Sequence, residues 1–172
     1  MKFRTPIVAA ILLLSPVLRG QSVPGTAHAN LSDAMGKKVG TATLTVNGGE
    51  VHITADLSGL PPGMHALHIH TVGKCDAPDF MSAGGHFNPE NKKHGKDNPE
   101  GAHAGDLPNF NVAADGTAHV SLTATHVTLA DGDHSLFHLG GTALVIHEKA
   151  DDYRTDPTGN AGGRIACGVV QM

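Results

Sequence analysis

Residues 40–57 read GTATLTVNGGEVHITADL, and this stretch decides the fold. Residues 40–46 and 50–57 each alternate polar and apolar side chains, which is the period of a strand with one buried face. Asn47-Gly48-Gly49 lies between the two runs, and Asn-Gly between alternating runs is a strong hairpin signal. The sequence therefore predicts two antiparallel strands joined by a tight turn.

Outside this hairpin, the same reading predicts an all-β chain with two long loops. Residues 71–106 are rich in Gly, Pro, Asn, Lys and His, and residues 148–163 are rich in Gly, Asp and Thr. Long loops in compact domains are usually functional. Seven or eight short strands predict an antiparallel sandwich or a Greek-key barrel. The further strands are expected at residues 27–33, 65–70, 110–114, 117–123, 142–147 and 164–170.

Composition limits the partners of the chain. A length of 172 residues suits one domain with its own core. Trp is absent, Tyr occurs once, and 16 acidic residues outnumber 12 basic ones. Nucleic-acid binding needs basic surfaces or aromatic stacking platforms, so we expect no nucleic-acid partner.

The first twenty residues resemble a secretion signal. Lys2 and Arg4 precede an apolar run over residues 6–18, which is too short to span a membrane. We predict a signal peptide over residues 1–20 and a domain over residues 21–172 that is periplasmic or secreted and has no membrane partner. Cleavage near Gly20 is better placed than cleavage at the Ala27-His28-Ala29 match. A short buried N-terminal helix is the competing interpretation.

Export would place the two cysteines in an oxidising compartment. Cys75 and Cys167 are the whole complement, and an even pair in an exported chain is most simply one disulfide. A disulfide that closes the loop over residues 75–167 would stabilise the fold by roughly 4–5 kcal/mol in the chain-entropy model. Two free buried thiols are the alternative.

The histidines indicate a two-metal site. Neutral imidazole is a common ligand of zinc and copper, and one tetrahedral ion takes only about four ligands. Two of the histidines, His68 and His70, are two residues apart on a predicted strand, so both side chains leave the same face. Seven candidates are too many for one ion, and His86 is the natural member of two sets. The candidates are His68, His70, His86, His94, His103, Asp106 and His147.

Six short segments, in order along the chain, resemble those of the copper/zinc superoxide dismutase family. The resemblance covers about residues 27–171, and its motifs are specific. It implies the family fold, an eight-stranded antiparallel Greek-key β-barrel with two long functional loops. The segments are residues 63–70 (GMHALHIH), 84–89 (GGHFNP), 93–95 (KHG), 103–107 (HAGDL), 144–152 (LVIHEKADD) and 159–168 (GNAGGRIACG).

The resemblance also implies the roles of individual residues. Arg164 would receive the anion beside copper, Asp151 would link a copper histidine to a zinc histidine, and His86 would be the catalytic bridge between the ions. Cys75 and Cys167 would form the family's disulfide, and His65 would be structural. The implied ligands are His68, His70, His86 and His147 for copper, and His86, His94, His103 and Asp106 for zinc.

The implied activity is dismutation of superoxide to dioxygen and hydrogen peroxide by a cycling copper ion, with zinc in a supporting role. A non-catalytic copper- or zinc-binding protein on the same fold is the alternative. A zinc hydrolase would need an open zinc position and a general base, which this closed ligand set lacks. Exported members of the family include monomers and homodimers.

The chain departs from the animal and plant enzymes in its second loop, which is shorter and lacks some of the charged residues that steer the substrate there. Lys92, Lys93 or Arg154 are hypothesised to steer superoxide instead. The remaining histidines are expected at the surface; they are His28, His52, His119, His126, His134 and His138.

Overall fold

The hairpin predicted at residues 40–57 forms as expected. In the computed structural model, which describes residues 25–172, all eight residue pairs between Gly40 and Asn47 on one strand and Glu50 and Leu57 on the other are in antiparallel register. Asn47 pairs with Glu50, so the turn residues are Gly48 and Gly49. Both have positive φ, +61° and +89°, which two-residue turns of this kind require and glycine adopts without strain.

Nine strands and one short 3₁₀ helix make up the described chain. The 3₁₀ helix spans Met81–Ala83 inside the first long loop. All ladders between strands are antiparallel, and the prediction of an all-β fold is confirmed. The strands are β1 Thr26–Asp33, β2 Lys38–Asn47, β3 Glu50–Leu57, β4 Gly63–His65, β5 Leu67–His70, β6 Phe110–Val112, β7 Ala118–Ala124, β8 Ala143–His147 and β9 Arg164–Gln171.

The strand expected at residues 65–70 is split in two at Ala66. The Ala66 N–H donates to the Lys149 carbonyl, and the Ala66 carbonyl accepts from the His147 N–H, both at 2.9 Å. The chain before Ala66 pairs with β6, whereas the chain after it pairs with β8. If β4 and β5 are counted as one bent strand, the nine strands become the eight of the expected barrel.

The strand order shows how the barrel closes. The seven-stranded sheet runs β5-β8-β9-β1-β2-β3-β7, and β4 with β6 forms a second sheet. A tight turn in which Ala113 N–H donates to the Thr117 carbonyl at 2.8 Å returns β6 to β7. Neighbours such as β9 and β1 are distant in sequence, as in a Greek key. The strands therefore form a ring around the core.

The core is filled by the inward residues of the alternating strands. Leu44, Ile53, Ile69, Leu144 and Ile146 are among its fully buried side chains. Since one face of each alternating strand is apolar, the sequence pattern alone predicts which side faces the core.

A disulfide joins the first long loop to β9. Cys75 and Cys167 are bonded, with their Cα atoms 5.6 Å apart. This confirms the predicted bridge and excludes the alternative of two free thiols. The predicted signal peptide, residues 1–20, lies outside the described residues. Within residues 25–172 no helix has the length and apolar character needed to cross a membrane.

Candidate metal centre

The structure brings the seven candidate ligands together in two groups that share His86. In each group the nitrogen or oxygen atoms that could bind an ion all lie within 4.8 Å of one another. The six histidines are buried, with exposed fractions between 0% and 8%. The four-histidine group consists of His68, His70, His86 and His147, and the aspartate group consists of His86, His94, His103 and Asp106.

Two neighbouring strands and the first long loop position the four-histidine group. His68 and His70 lie on β5, and His147 ends β8, which pairs with β5. The Nε2 atoms of His70 and His147 are only 3.3 Å apart. The prediction that His68 and His70 face the same site agrees with this placement. His86 enters from the loop.

Backbone hydrogen bonds hold the loop against the free edge of β5. Phe87 N–H donates to the Ile69 carbonyl at 2.8 Å, and Ile69 N–H donates to the Gly105 carbonyl at 2.9 Å. A Cβ atom on Gly105 would lie 2.3 Å from the Ile69 carbonyl oxygen, so this approach needs glycine. The loop segments that carry His86 and Asp106 are therefore held by backbone pairing as well as by their side chains.

Two buried ring nitrogens in the four-histidine group have no hydrogen-bond partner. They are His68 Nδ1 and His86 Nε2. The other nitrogen of each ring is engaged, because His68 Nε2 lies 2.8 Å from Asp151 Oδ2 and His86 Nδ1 lies 2.9 Å from Asp106 Oδ1. Leaving a buried polar atom unpaired is unfavourable. Two such nitrogens in one group of four fit a metal ion bound among them.

The aspartate group has the spacing of a tetrahedral site. Asp106 Oδ1 lies 2.9, 3.0 and 3.2 Å from the Nδ1 atoms of His86, His94 and His103. Zinc binds such ligands at about 2.0–2.1 Å, which gives a tetrahedral edge of about 3.3 Å. The second oxygen, Oδ2, accepts backbone N–H bonds from Gly95 and His103 at 2.8 and 3.0 Å. Oδ1 is therefore left to face the group.

Asp151 joins the two groups, as the resemblance implied. Its Oδ2 lies 2.8 Å from His68 Nε2, and its Oδ1 lies 2.9 Å from His94 Nε2. Asn109 fixes the backbone of Asp151 by accepting its N–H at 2.8 Å and donating to its carbonyl at 2.9 Å. Sequence reasoning missed Asn109, since no motif or spacing links it to Asp151.

The protonation states suit metal binding. Burial lowers the pKa of His70 to about 2, of His147 to about 3 and of His86 to about 4. These rings are therefore neutral at pH 7, the form that binds metals. Burial also acts to lower the pKa of His94, but its hydrogen bonds with Asp106 and Asp151 outweigh burial and raise it to about 9.

The pKa values of the two carboxylates that bond these histidines, Asp106 and Asp151, are lowered. Burial alone would raise the pKa of Asp106 and of Asp151, but hydrogen bonds to the surrounding imidazoles hold both below the usual aspartate range. Both are ionised at neutral pH and can act as an anionic ligand or as a hydrogen-bond acceptor.

An open cavity of about 500 Å³ leads to the four-histidine group. His70, His86 and His147 line its floor together with Arg164, the first residue of β9. The Arg164 guanidinium donates to the carbonyls of Phe80 and Gly84 at 2.6 and 2.7 Å. These bonds hold a positive charge beside the group, where the resemblance placed it.

The other predicted residues lie where they cannot bind these ions. The ring nitrogens of buried His65 lie 2.8 Å from the carbonyl oxygens of His147 and Pro61, which suits a structural role. The six histidines expected at the surface are exposed or partly exposed, and none belongs to a possible metal group within residues 25–172.

The steering hypothesis finds no support in the cavity, because Lys92, Lys93 and Arg154 do not line it. Lys92 pairs with Glu90, and Lys93 Nζ lies 3.6 Å from Asp156 Oδ2.

Two buried groups of possible metal ligands that share one histidine, on an antiparallel β-barrel, are typical of a protein that binds two metal ions. The family model for copper/zinc superoxide dismutase matches residues 38–170. The chain belongs to this family.

Individual relatives of known family match this chain over 84% or more of its length. Superoxide dismutase [Cu-Zn] 1 of Aquifex aeolicus is 53% identical to this chain, over 84% of this chain and 86% of the relative's length. Superoxide dismutase [Cu-Zn] 2 of the same organism is 47% identical over 99% of this chain and 100% of its own. The structure of the Cu/Zn superoxide dismutase from Brucella abortus aligns with a TM-score of 0.69 and 30% identity, over 84% of this chain and 98% of that one.

Proposed function

We propose that the chain dismutates superoxide with copper in the four-histidine group and zinc in the aspartate group, His86 being shared. Superoxide dismutation, with copper and zinc as cofactors, is the activity of the family to which the chain belongs. The unpaired nitrogens of His68 and His86 carry the assignment of ligands. Both are buried, both lie in the group that opens to the cavity, and both lack any protein partner.

The division of metals between the groups follows from chemistry and access. Copper supplies one-electron chemistry, and zinc has none. The four-histidine group opens to the cavity, so a small substrate can reach it. The aspartate group includes an anionic oxygen and is closed by four protein ligands, which suits a structural zinc ion.

Arg164 receives the anion in this proposal. Its charge stands at the cavity wall next to three of the four histidines. Two of its N–H groups are fixed on the Phe80 and Gly84 carbonyls, so the guanidinium is oriented before the substrate arrives. A guanidinium binds an anion through charge-assisted hydrogen bonds.

His86 handles a proton at its Nε2 atom. Asp106 Oδ1 forms a hydrogen bond with Nδ1 of this ring. Nε2 is therefore the ring nitrogen that remains for the four-histidine group. Formation of hydrogen peroxide requires protons, and Nε2, whenever it is not bound to copper, is the ring atom that could hold one and pass it to the bound anion.

Asp151 orients both groups by fixing one ring in each. Loss of such a carboxylate typically lowers metal affinity or activity by 10–100-fold. The non-catalytic alternative is not favoured, because every implied copper ligand and Arg164 are present and lie together.

We also propose that the chain is exported, with residues 1–20 as a signal peptide and residues 21–172 as the mature domain. The Cys75–Cys167 disulfide supports an oxidising compartment, periplasmic or extracellular. Amino-terminal sequencing of the protein from a periplasmic or culture fraction tests this. Analytical ultracentrifugation of the metal-loaded protein distinguishes the monomer from the homodimer.

Separate loss of the two metals tests the ligand assignment. We expect His147→Ala to lose copper and superoxide consumption while retaining zinc, and His94→Ala to lose zinc while retaining a copper signal. His119→Ala is the control, because His119 is exposed and bonds only Asp56. Elemental analysis, copper spectroscopy and a superoxide-consumption assay provide the measurements. Full activity in His147→Ala would refute the copper assignment, and loss of copper in His94→Ala would show that the groups are not separable.

A further inference from the structure

The cavity above the four-histidine group holds two ionised side chains of opposite sign. Arg164 provides the positive charge, and Asp79 lies on the same lining. Within residues 25–172, no lysine or glutamate is among the residues that line this cavity. Apart from any metal, the formal charges of these lining residues therefore balance.

Asp79 is held at the rim rather than paired with the guanidinium. Its Oδ1 accepts the backbone N–H of Met81 at 3.0 Å, which fixes the carboxylate on the loop ahead of the 3₁₀ helix. The Arg164 donors are directed instead to the carbonyls of Phe80 and Gly84. The exposed carboxylate therefore lies on the lining of the cavity without neutralising Arg164 by direct contact.

The charge of Asp79 is nevertheless felt at Arg164. Burial lowers the pKa of Arg164, and the negative charge of Asp79 acts against it. The field that stabilises a cation at this position repels an anion that approaches it. Exposed charges interact weakly in water, so the effect is modest for a single charge.

The repulsion between Asp79 and an approaching anion grows with the charge of that anion. Asp79 can therefore discriminate between anions of different charge. For unit charges about 6 Å apart in water, Coulomb's law gives roughly a threefold effect on occupancy. A dianion doubles the interaction energy, so the factor becomes roughly tenfold. The rim carboxylate therefore discriminates against dianions more than it hinders superoxide.

We propose that Asp79 is an anion-selectivity residue of this cavity. It admits monoanions to Arg164 and disfavours dianions such as hydrogen phosphate, which would otherwise occupy the guanidinium. The inference rests on the proposed role of the cavity as the superoxide site. It explains why a chain that binds an anionic substrate keeps a carboxylate in the approach to it.

The test compares two anions in the metal-loaded protein carrying Asp79→Asn. The amide keeps an oxygen that can accept the Met81 N–H, so only the charge is removed. Azide binding is followed through the absorption of copper, and inorganic phosphate at about pH 8, mostly a dianion, is titrated as a competitor of azide. We expect azide affinity and kcat/KM for superoxide to rise roughly threefold, and phosphate affinity to rise roughly tenfold.

Two further variants serve as controls. Asp76→Asn removes a charge from the same loop, outside the cavity lining, and should leave all three quantities unchanged. Asp79→Glu retains the charge and should retain the discrimination. Equal gains for azide and phosphate, or no gain for either, would overturn the inference.

Arg164→Ser separates failure of the inference from failure of the proposed function. If phosphate binds this variant as tightly as wild type, Arg164 does not receive the anion, and that part of the proposed function is wrong. If Arg164→Ser weakens phosphate binding while Asp79→Asn has no effect, only the selectivity role of Asp79 is refuted.

Discussion

At the scale of single residues, the protonation of the histidines distinguishes the two metal groups. His94 carries a proton at neutral pH because its pKa is raised to about 9, whereas His70 and His147, with pKa values of about 2 and 3, do not. A metal ion binds the deprotonated ring and must displace any proton on it. The two groups of the metal-free protein should therefore release protons differently.

Zinc binding to the metal-free protein at pH 7 should release about one proton from His94. The sign follows from the raised pKa, since His94 is protonated below about pH 9 and neutral above it. Zinc affinity should therefore rise with pH up to about 9 and then level off. Copper added to the zinc-loaded protein should release about one further proton, from His86 as it bridges two ions.

Calorimetric titration in buffers of different ionisation enthalpy measures both proton counts. His94→Gln should abolish the first release, because it removes a zinc ligand, and the second as well, because His86 then has no zinc ion to share with copper. A zinc-binding step at pH 7 that releases no proton in the wild-type protein would contradict the assignment of His94.

The sequence identified most of this residue-level chemistry because ligand types and short spacings are visible in it. His68 and His70 share a strand face by simple alternation, and the seven candidates do come together. Asn109 was not foreseen. It forms a hydrogen bond with Asp151, which is 42 residues away in the chain, and no local pattern encodes a contact at that separation.

At the scale of elements, the second long loop depends on a glycine behind the metal groups. Gly159 has φ +64°, and a Cβ atom there would lie 1.9 Å from Asp151 Oδ1 and 2.6 Å from His94 Nε2. The loop passes directly against the hydrogen bond that joins these two side chains. Any side chain at position 159 must displace Asp151 or His94 and so disturb the hydrogen bond between them.

Gly159→Ala should therefore lower zinc affinity by roughly 10–100-fold, as loss of a carboxylate that orients a ligand does. Gly48→Ala is the matched control, because Gly48 has a similar φ of +61° and nothing within 4 Å of its Cβ position. Both variants bear the strain of a left-handed alanine, about 1–2 kcal/mol, but only the first meets Asp151. Competition with a zinc chelator gives the affinities, and equal effects in the two variants would contradict the steric explanation.

The strands were predictable, and the interior of the first long loop was not. Alternation located β2 and β3 within two residues of their ends, because one face of each is buried. The break at Ala66 was missed, since it depends on backbone bonds to Lys149 and His147. The pairing of loop residues such as Phe87 with the edge of β5 is likewise a tertiary contact without a local signal.

At the scale of the whole molecule, charge opposes the substrate. Residues 25–172 contain nine Lys and Arg against sixteen Asp and Glu, a formal charge of −7. Attraction of superoxide must therefore be local, and Arg164 is the positive side chain on the cavity wall. The local charge of Arg164, rather than the net charge of the molecule, therefore attracts the anion.

Lys92→Ser and Lys93→Ser should therefore change kcat/KM for superoxide by less than about twofold, because both lysines are in surface ion pairs outside the cavity. Arg164→Ser should lower kcat/KM by roughly tenfold or more through loss of a charge-assisted bond. Pulse radiolysis at several salt concentrations measures both the rate and its salt dependence. If a lysine variant lost rate as Arg164→Ser does, the steering role first hypothesised for these lysines would be restored.

The most direct test of the two-metal assignment is diffraction from crystals of the metal-loaded protein at the copper and zinc absorption edges. We predict one copper peak among His68 Nδ1 and the Nε2 atoms of His70, His86 and His147. We predict a separate zinc peak among Asp106 Oδ1 and the Nδ1 atoms of His86, His94 and His103. Copper in the aspartate group, or a single peak with His86 bound on one side only, would contradict it.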